Sequence, residues 1–329
     1  MFWQGLIVLL VLSGLWGGLG VVFTVQGYPI SPLITAVLGG MATSALFPRL
    51  GTWLGQSGAL KLGTKELLRL GIVLYGLRIS LDQVWQVGFA GAGLALLVVT
   101  STLSLGWFLG QKMGLDKHSA LLIGAGSAIC GAAAVLAVQS VTRSQSEKVV
   151  AAVATVVLFG TLGMLVYPWA LSGVENPFVQ GLIVGGTLHE VAHVVGAGAG
   201  LPKEAAEVAV IVKMIRVMFL VPVLFVLLFV FKSKGENGGM REAFPWFALF
   251  FLGMVGLNSA IEVPFKQVLL EADTMLLSIA MCALGLNTHT KTLRHMGTKP
   301  FLLASVLMVW IVGIGAGVAW LTCKGILAL

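Results

Sequence analysis

The stretch GTLHEVAHVVGAGAG, residues 186–200, contains His189-Glu190-x-x-His193. Two histidines four apart on a helix share a face and can hold zinc, with the glutamate between them as the general base of a hydrolase. Such a centre needs a third ligand. The downstream carboxylates Glu204, Glu207, Glu236, Glu242, Glu262, Glu271 and Asp273 all fall in loops or at the ends of apolar runs. The competing reading is that His189, Glu190 and His193 line a hydrated path. Lys213 and Arg216 follow in the next apolar run, three residues apart and so on one helix face. A third unusual segment, LLIGAGSAICGAAAVLAV (121–138), places Gly124, Gly126 and Gly131 around Ser127 and Cys130. Asn287, Thr288 and His289 close another apolar run, where they either cap a helix or meet a substrate.

The elements that must position these residues are membrane helices. Of 329 residues 58% are hydrophobic and 10% charged, so the bilayer is the solvent. The net charge of +7 lies mostly in loops and argues for no nucleic-acid partner. Cys130, Cys282 and Cys323 have no pair spacing, which favours neither a disulfide framework nor a thiolate metal site. The first apolar run lacks a basic leader and an A-x-A site, and is read as a span rather than a cleaved signal.

Eleven runs are long enough to be spans: about 4–24, 31–48, 66–80, 88–111, 118–139, 149–171, 178–199, 205–231, 244–260, 267–286 and 300–323. With the N-terminus inside, the internal loops hold more Lys and Arg than the external ones, which places the C-terminus outside. One loop dissents, since TRSQSEK (142–148) is external in this count yet basic. No hydrophilic stretch is long enough for a soluble domain, so residues 1–329 form one transmembrane domain. Its expected parts are an extra first helix (1–30) and two repeats (31–171 and 178–323). A faint echo, GLRISLDQVWQVG (76–88) with GLNTHTKTLRHMG (285–297), is consistent with inverted copies.

A charge at mid-membrane costs about 2.5–3.5 kcal/mol on insertion scales. Glu190, Lys213 and Arg216 must therefore pair, reach water or snorkel. The expectation is that Glu190 balances Lys213 and Arg216, leaving a positive surplus suited to an anion. Ser127 and an unwound backbone around Gly126 would add hydrogen-bond donors, and His189 and His193 would help Glu190 exchange protons.

LGIVLYGLRIS (70–80), IGAGSAICGAAAVLA (123–137), GTLHEVAHVVGAG (186–198), VKMIRV (212–217) and ALGLNTHTKTLRHMGTKP (283–300) together resemble the UPF0324, or YeiH-type, membrane proteins, also called putative sulfate exporters. The resemblance implies a bacterial inner-membrane protein of ten or eleven helices. It also implies kinship with the bile-acid/arsenite/riboflavin transporters, with inverted repeats and two crossing discontinuous helices. By that analogy the spans holding Gly124–Gly131 and Ala280–Asn287 would cross near the substrate. The family commonly has Gln where this chain has His193, which dissolves the zinc motif.

The expectation is an all-α polytopic protein working as a secondary transporter of a small anion, sulfate-like or organic. It would act as an exporter coupled to protons or sodium, need no cofactor or metal, perform no enzymatic reaction, and be compatible with a homo-oligomer. The expected substrate contacts are Lys213, Arg216, Glu190, His189, Ser127, Gly126 and Asn287. The alternatives are an intramembrane zinc protease and an anion channel.

Overall fold

The computed structural model describes residues 1–25, 32–231, 246–287 and 297–323, all helix or connection with no strand among them. In chain order the elements begin with α1 (Phe2–Val25), α2 (Pro32–Leu46), α3 (Pro48–Ser57) and α4 (Ala59–Lys61). A π-helical stretch (Leu62–Leu67), α5 (Leu68–Tyr75), a 3-10 turn (Gly76–Arg78) and α6 (Leu81–Lys112) follow. Next come α7 (Lys117–Ala128), α8 (Ala132–Thr142), α9 (Ser146–Ala170), α10 (Pro177–Thr187) and α11 (Val191–Gly198). The chain closes with α12 (Lys203–Met218), α13 (Leu220–Phe231), α14 (Trp246–Ala260), α15 (Lys266–Asn287) and α16 (Thr298–Cys323).

The helical membrane class holds, but the number of crossings differs from the eleven expected. Among the described residues six helices are long and apolar enough to cross a membrane: Phe2–Val22, Leu81–Lys112, Glu147–Ala170, Lys203–Phe231, Lys266–Asn287 and Thr298–Val318. A seventh is added if α2 and α3, bent by 110°, count as one span. The fifth and seventh apolar runs are each split into two short helices, for reasons given below. The 285–297 half of the internal echo, with Thr288 and His289, lies largely outside the described residues.

The chain divides into two compact units. The first comprises Met1–Val84 and Phe247–Thr290. In it α2 and α15 pack through glycine: a side chain on Gly40 would strike the Cys282 carbonyl, and one on Gly285 the Val37 carbonyl. Removing side chains lets two backbones approach, which is how membrane helices associate where lipid offers no hydrophobic drive. Asp273, a buried charge of this unit, is paired with Arg78 at 2.8 Å. The segment Ala280–Asn287 is unbroken helix in α15, which overturns the expectation of a discontinuous helix there.

The second unit comprises Trp85–Trp246 and Lys291–Leu329. Here α7 and α8 form a hairpin that starts and finishes at one end of the unit. Lys148, at the start of α9, pairs at 2.8 Å with Asp116, the residue before α7. His118 meets the hydroxyl of Ser144, just after α8, at 2.9 Å. The 25-residue α9 then runs to the opposite end, about 37 Å at 1.5 Å per residue. There α10 and α11 form a second hairpin. A side chain on Gly181 of α10 would meet Ala205 and Val208, and one on Gly198 of α11 would meet Ala206. Both ends of this hairpin thus lie against the first two turns of α12. Each hairpin leaves by the end it entered, from opposite ends of the unit.

This geometry corrects the TRSQSEK loop, which lies at the same end as residues 113–116 and not opposite them. That end carries Lys112, Lys117, Arg143, Lys148 and Lys299, the last reaching the Gly114 carbonyl at 3.4 Å. The other end carries Lys203 with Glu175 and Glu204. The basic loop dissented only because an apolar run of about 20 residues fits a re-entrant hairpin as well as a span.

Asp116 fastens the first hairpin. Its carboxylate accepts the backbone N–H groups of His118 (3.1 Å) and Ser119 (3.3 Å), an N-cap, and the Ser119 hydroxyl at 2.6 Å. Partial burial works to raise its pKa. The bonds from Lys148 and Ser119 outweigh this and hold it at about 2, against an ordinary 3.8.

Two outcomes follow from this arrangement. On a cysteine-free background, Lys112→Cys and Gln145→Cys will react with a membrane-impermeant maleimide from the same face and Glu175→Cys from the other; Gln145→Cys reacting with Glu175→Cys would refute the hairpin. Asp116→Ala will lower stability by ~1 kcal/mol at neutral pH. Because the folded pKa is depressed, that advantage of wild type is complete above about pH 4 and fades as pH falls toward about 2, as thermal melts of both proteins would record.

Candidate functional site

The tips of the two hairpins meet on α12. In the first, α7 stops at Ala128 because Ile129 leaves helical geometry (φ −110°, ψ −88°) and Gly131 turns back at φ 77°. That left-handed φ favours glycine, and a side chain there would also collide with Glu190. In the second, α10 ends at Thr187; Leu188 (ψ 150°) and Glu190 (φ −119°, ψ 155°) are extended, and α11 starts at Val191. Neither Gly nor Pro stands at Leu188–Glu190, so no local signal announces this break. The His-Glu-x-x-His motif therefore does not lie on one helix, and its histidines lose the shared face a zinc site requires. Among the described residues no three His, Cys, Asp or Glu side chains gather as a metal site.

Each break frees carbonyl oxygens at the end of a helix, and in hydrocarbon each unsatisfied group costs several kcal/mol. Lys213 and Arg216 supply the missing donors. Lys213 Nζ donates to the carbonyls of Ile129 (2.8 Å), Leu188 (2.8 Å) and His189 (2.6 Å). Arg216 Nε donates to Ala128 at 3.2 Å, and one terminal nitrogen to Ser127 (3.1 Å) and Ala128 (2.7 Å). The other terminal nitrogen donates to Gly185 (3.2 Å), Gly186 (2.8 Å) and Leu188 (2.9 Å). Both side chains are fully buried. Two cations also sit at the C-terminal, negative ends of α7 and α10, where helix dipoles favour them.

This corrects the expected division of labour. An ammonium has three donors and a guanidinium five, and every donor-bearing atom of Lys213 and Arg216 is engaged by backbone. They lock the breaks and are not poised to grip an anion directly. Nor does Glu190 pair with them: its Oε1 accepts the Ala132 N–H at 2.9 Å, at the start of α8, and its Oε2 lies 4.0 Å from His193 Nδ1. The carbonyls of both breaks are nearer to the cations than any carboxylate and claim them. The Glu190 side chain remains 15% exposed, whereas that of His193 is fully buried.

The other expected residues divide between the units. His189 gives its carbonyl to Lys213 while neither ring nitrogen has a hydrogen-bond partner; His193 packs on Gly160 and its ring is likewise without one. Ser127 gives its carbonyl to Arg216 and its buried hydroxyl has no partner. Gly126 is still helical, lies against Val135 and Val156, and accepts the Gly131 N–H at 3.0 Å. The unwinding therefore begins three residues later than expected. Asn287 ends α15 in the first unit, with its side chain exposed. Tyr167 went unnoticed in the sequence; its hydroxyl accepts from Thr187 at 2.8 Å, beside the second break.

Comparison with known proteins fits this pattern to one family. The family model described as "Conserved hypothetical protein 698" matches residues 4–304. The chain is 42% identical to the UPF0324 inner membrane protein YeiH of Salmonella typhimurium, over 96% of this chain and 93% of that one. It is 43% identical to the YeiH protein of Escherichia coli K12 over the same shares. The chain belongs to the UPF0324 family. A further UPF0324 membrane protein, from Wolinella succinogenes, is 45% identical over 84% of this chain and 85% of its own. No solved structure matches.

Replacing Arg216 tests the lock. Arg216→Ala leaves the carbonyls of Ser127, Ala128, Gly185 and Gly186 without these donors, a loss of at least ~3 kcal/mol. Arg216→Lys, which cannot fork to both breaks, will fall between the two. Thermal melts in detergent read the order; an Arg216→Ala protein as stable as wild type would refute the assignment.

Proposed function

We propose that this protein is a secondary transporter of a small anion, resident in the bacterial inner membrane and working as an exporter coupled to protons or sodium. The observation that carries the reading is the charge at the junction of the two hairpins. Lys213 and Arg216 answer the freed carbonyls, while a single carboxylate, Glu190, faces the opposite, N–H-rich ends at α8 and α11. With all three ionised the centre carries one surplus positive charge, and the half-helix N-termini favour an anion. Polar backbone at membrane depth is tolerated where it is buried or borders a water-filled cavity. Glu190 keeps 15% of its side chain exposed, and we assign that edge to such a cavity.

The same reading includes an inverted repeat. Asp116 and Asn176 each cap a half-helix with their side chains. Each half-helix breaks a dozen or so residues on, returns, and is followed by a span, first as α7–α9 and then as α10–α13. The two copies enter from opposite ends and fall one in each proposed half, 31–171 and 178–323. The basic end of this unit is assigned to the cytoplasm, with the N-terminus inside and the C-terminus outside. Across the whole chain we retain eleven apolar segments, two of them re-entrant. The names of the relatives support the inner-membrane setting, and the sulfate-exporter label of the family suggests a sulfur oxyanion as the first candidate.

Reconstitution tests this directly. Proteoliposomes given an imposed proton or sodium gradient will accumulate labelled sulfate, sulfite, thiosulfate or acetate against its own gradient. Ser127→Ala will slow that flux about five- to tenfold, the worth of one hydrogen bond. Absence of uphill movement of all four anions under both gradients would refute the reading.

A further inference from the structure

Glu190 stands in an unusual place. It belongs to the second hairpin, yet its Oε1 accepts the Ala132 N–H, at the N-terminus of the 11-residue α8 in the first hairpin, at 2.9 Å. A helix N-terminus with unsatisfied N–H groups is where a free anion binds. A second group converges on the same carboxylate: His193 Nδ1 is 4.0 Å from Glu190 Oε2, on a ring that is fully buried with neither nitrogen hydrogen-bonded. Burying an imidazole without a partner is costly, and it is explained if the ring has a partner in another state of the protein.

We propose that the Glu190 carboxylate is a tethered occupant of an anion site formed by the α8 N-terminus and His193, and that a small oxyanion takes its place when Glu190 is protonated. The step balances simply. Glu190 takes up one proton, its neutral acid withdraws from the Ala132 N–H, and one oxyanion group, carboxylate or sulfur oxyanion, accepts that N–H in its stead. No covalent bond to carbon or sulfur changes. Among the described residues, the charged and titratable groups at this junction are Lys213 and Arg216 from α12, His189 and His193 on Glu190's own hairpin, Cys130 on the first hairpin, and Tyr167 on α9, which meets Thr187 beside the second break. Lys213 and Arg216 stay on their carbonyls, so their charge acts through the field rather than by contact. This inference rests on the transporter reading for its purpose and on the Glu190 geometry for its substance.

Binding of sulfate and, separately, of acetate to purified protein tests it. Wild-type affinity for either anion will rise about tenfold per unit fall in pH while Glu190 is ionised, because one proton is bound with each anion. Glu190→Gln, which keeps an acceptor for Ala132 without the charge, will bind at least ~10-fold tighter than wild type at pH 8 and lose the slope. His193→Gln, which removes the imidazole's titration, will keep it. Wild type in weak buffer will also take up one proton per anion bound, a readout that stands if Glu190→Gln fails to fold. Weaker binding by Glu190→Gln, a slope that survives in it, or anion binding without proton uptake overturns the proposal. Proton-linked binding without any flux would instead sink the transport reading and leave this site intact.

Discussion

A chain inside hydrocarbon cannot leave a carbonyl without a donor, and this protein interrupts two of its apolar segments, at residues 129–131 and 188–190. Seven carbonyl oxygens, of Ser127, Ala128, Ile129, Gly185, Gly186, Leu188 and His189, are held by two side chains one turn apart on α12. Everything else about the second unit follows from that bargain. The hairpins can be short because their tips end on cations, and α12 can carry two buried charges because backbone dipoles surround them. Neither half is stable alone: the cations without the breaks would be unsolvated, and the breaks without the cations would be unpaired.

The arrangement separates two jobs that seemed to belong to the same residues. Lys213 and Arg216 are structural in their contacts, with every donor-bearing nitrogen on backbone carbonyls. Glu190 is held less tightly, with one hydrogen bond across the hairpins, a loose approach to His193 and a side chain that is not fully buried. A carboxylate that can gain a proton and let go is a better moving part than a guanidinium tied to five carbonyls. The positive φ of Gly131 keeps room for it, since any side chain there would occupy its place.

Much of the fold was legible as apolar runs, because hydrocarbon thickness dictates run length and α1, α6, α9, α15 and α16 obey it. The two hairpins were not, since 118–139 and 178–199 have the length and hydropathy of ordinary spans. Their trace was an inconsistency, the basic TRSQSEK loop on the wrong side, together with Asp116 and Asn176 placed as caps. Gly131 hinted at the first break; nothing in Leu188–Glu190 hinted at the second, where tertiary bonds to Lys213 and Arg216 override helix propensity. The sequence singled out Glu190, Lys213 and Arg216 because buried charge is rare enough to stand out, and the structure brings them to one junction. Their partners did not stand out, because sequence shows charges and hides the carbonyls that compete for them.

The central claim is that the two cations hold the helix breaks while the anion binds elsewhere, at the start of α8. A density map of the protein reconstituted with selenate, a heavy analogue of sulfate, tests this most directly. The account expects Lys213 and Arg216 still on their carbonyls, selenate beside the Ala132 N–H and His193, and Glu190 displaced. Selenate held directly by Arg216, with the carbonyls of Gly185 and Gly186 released, would contradict it.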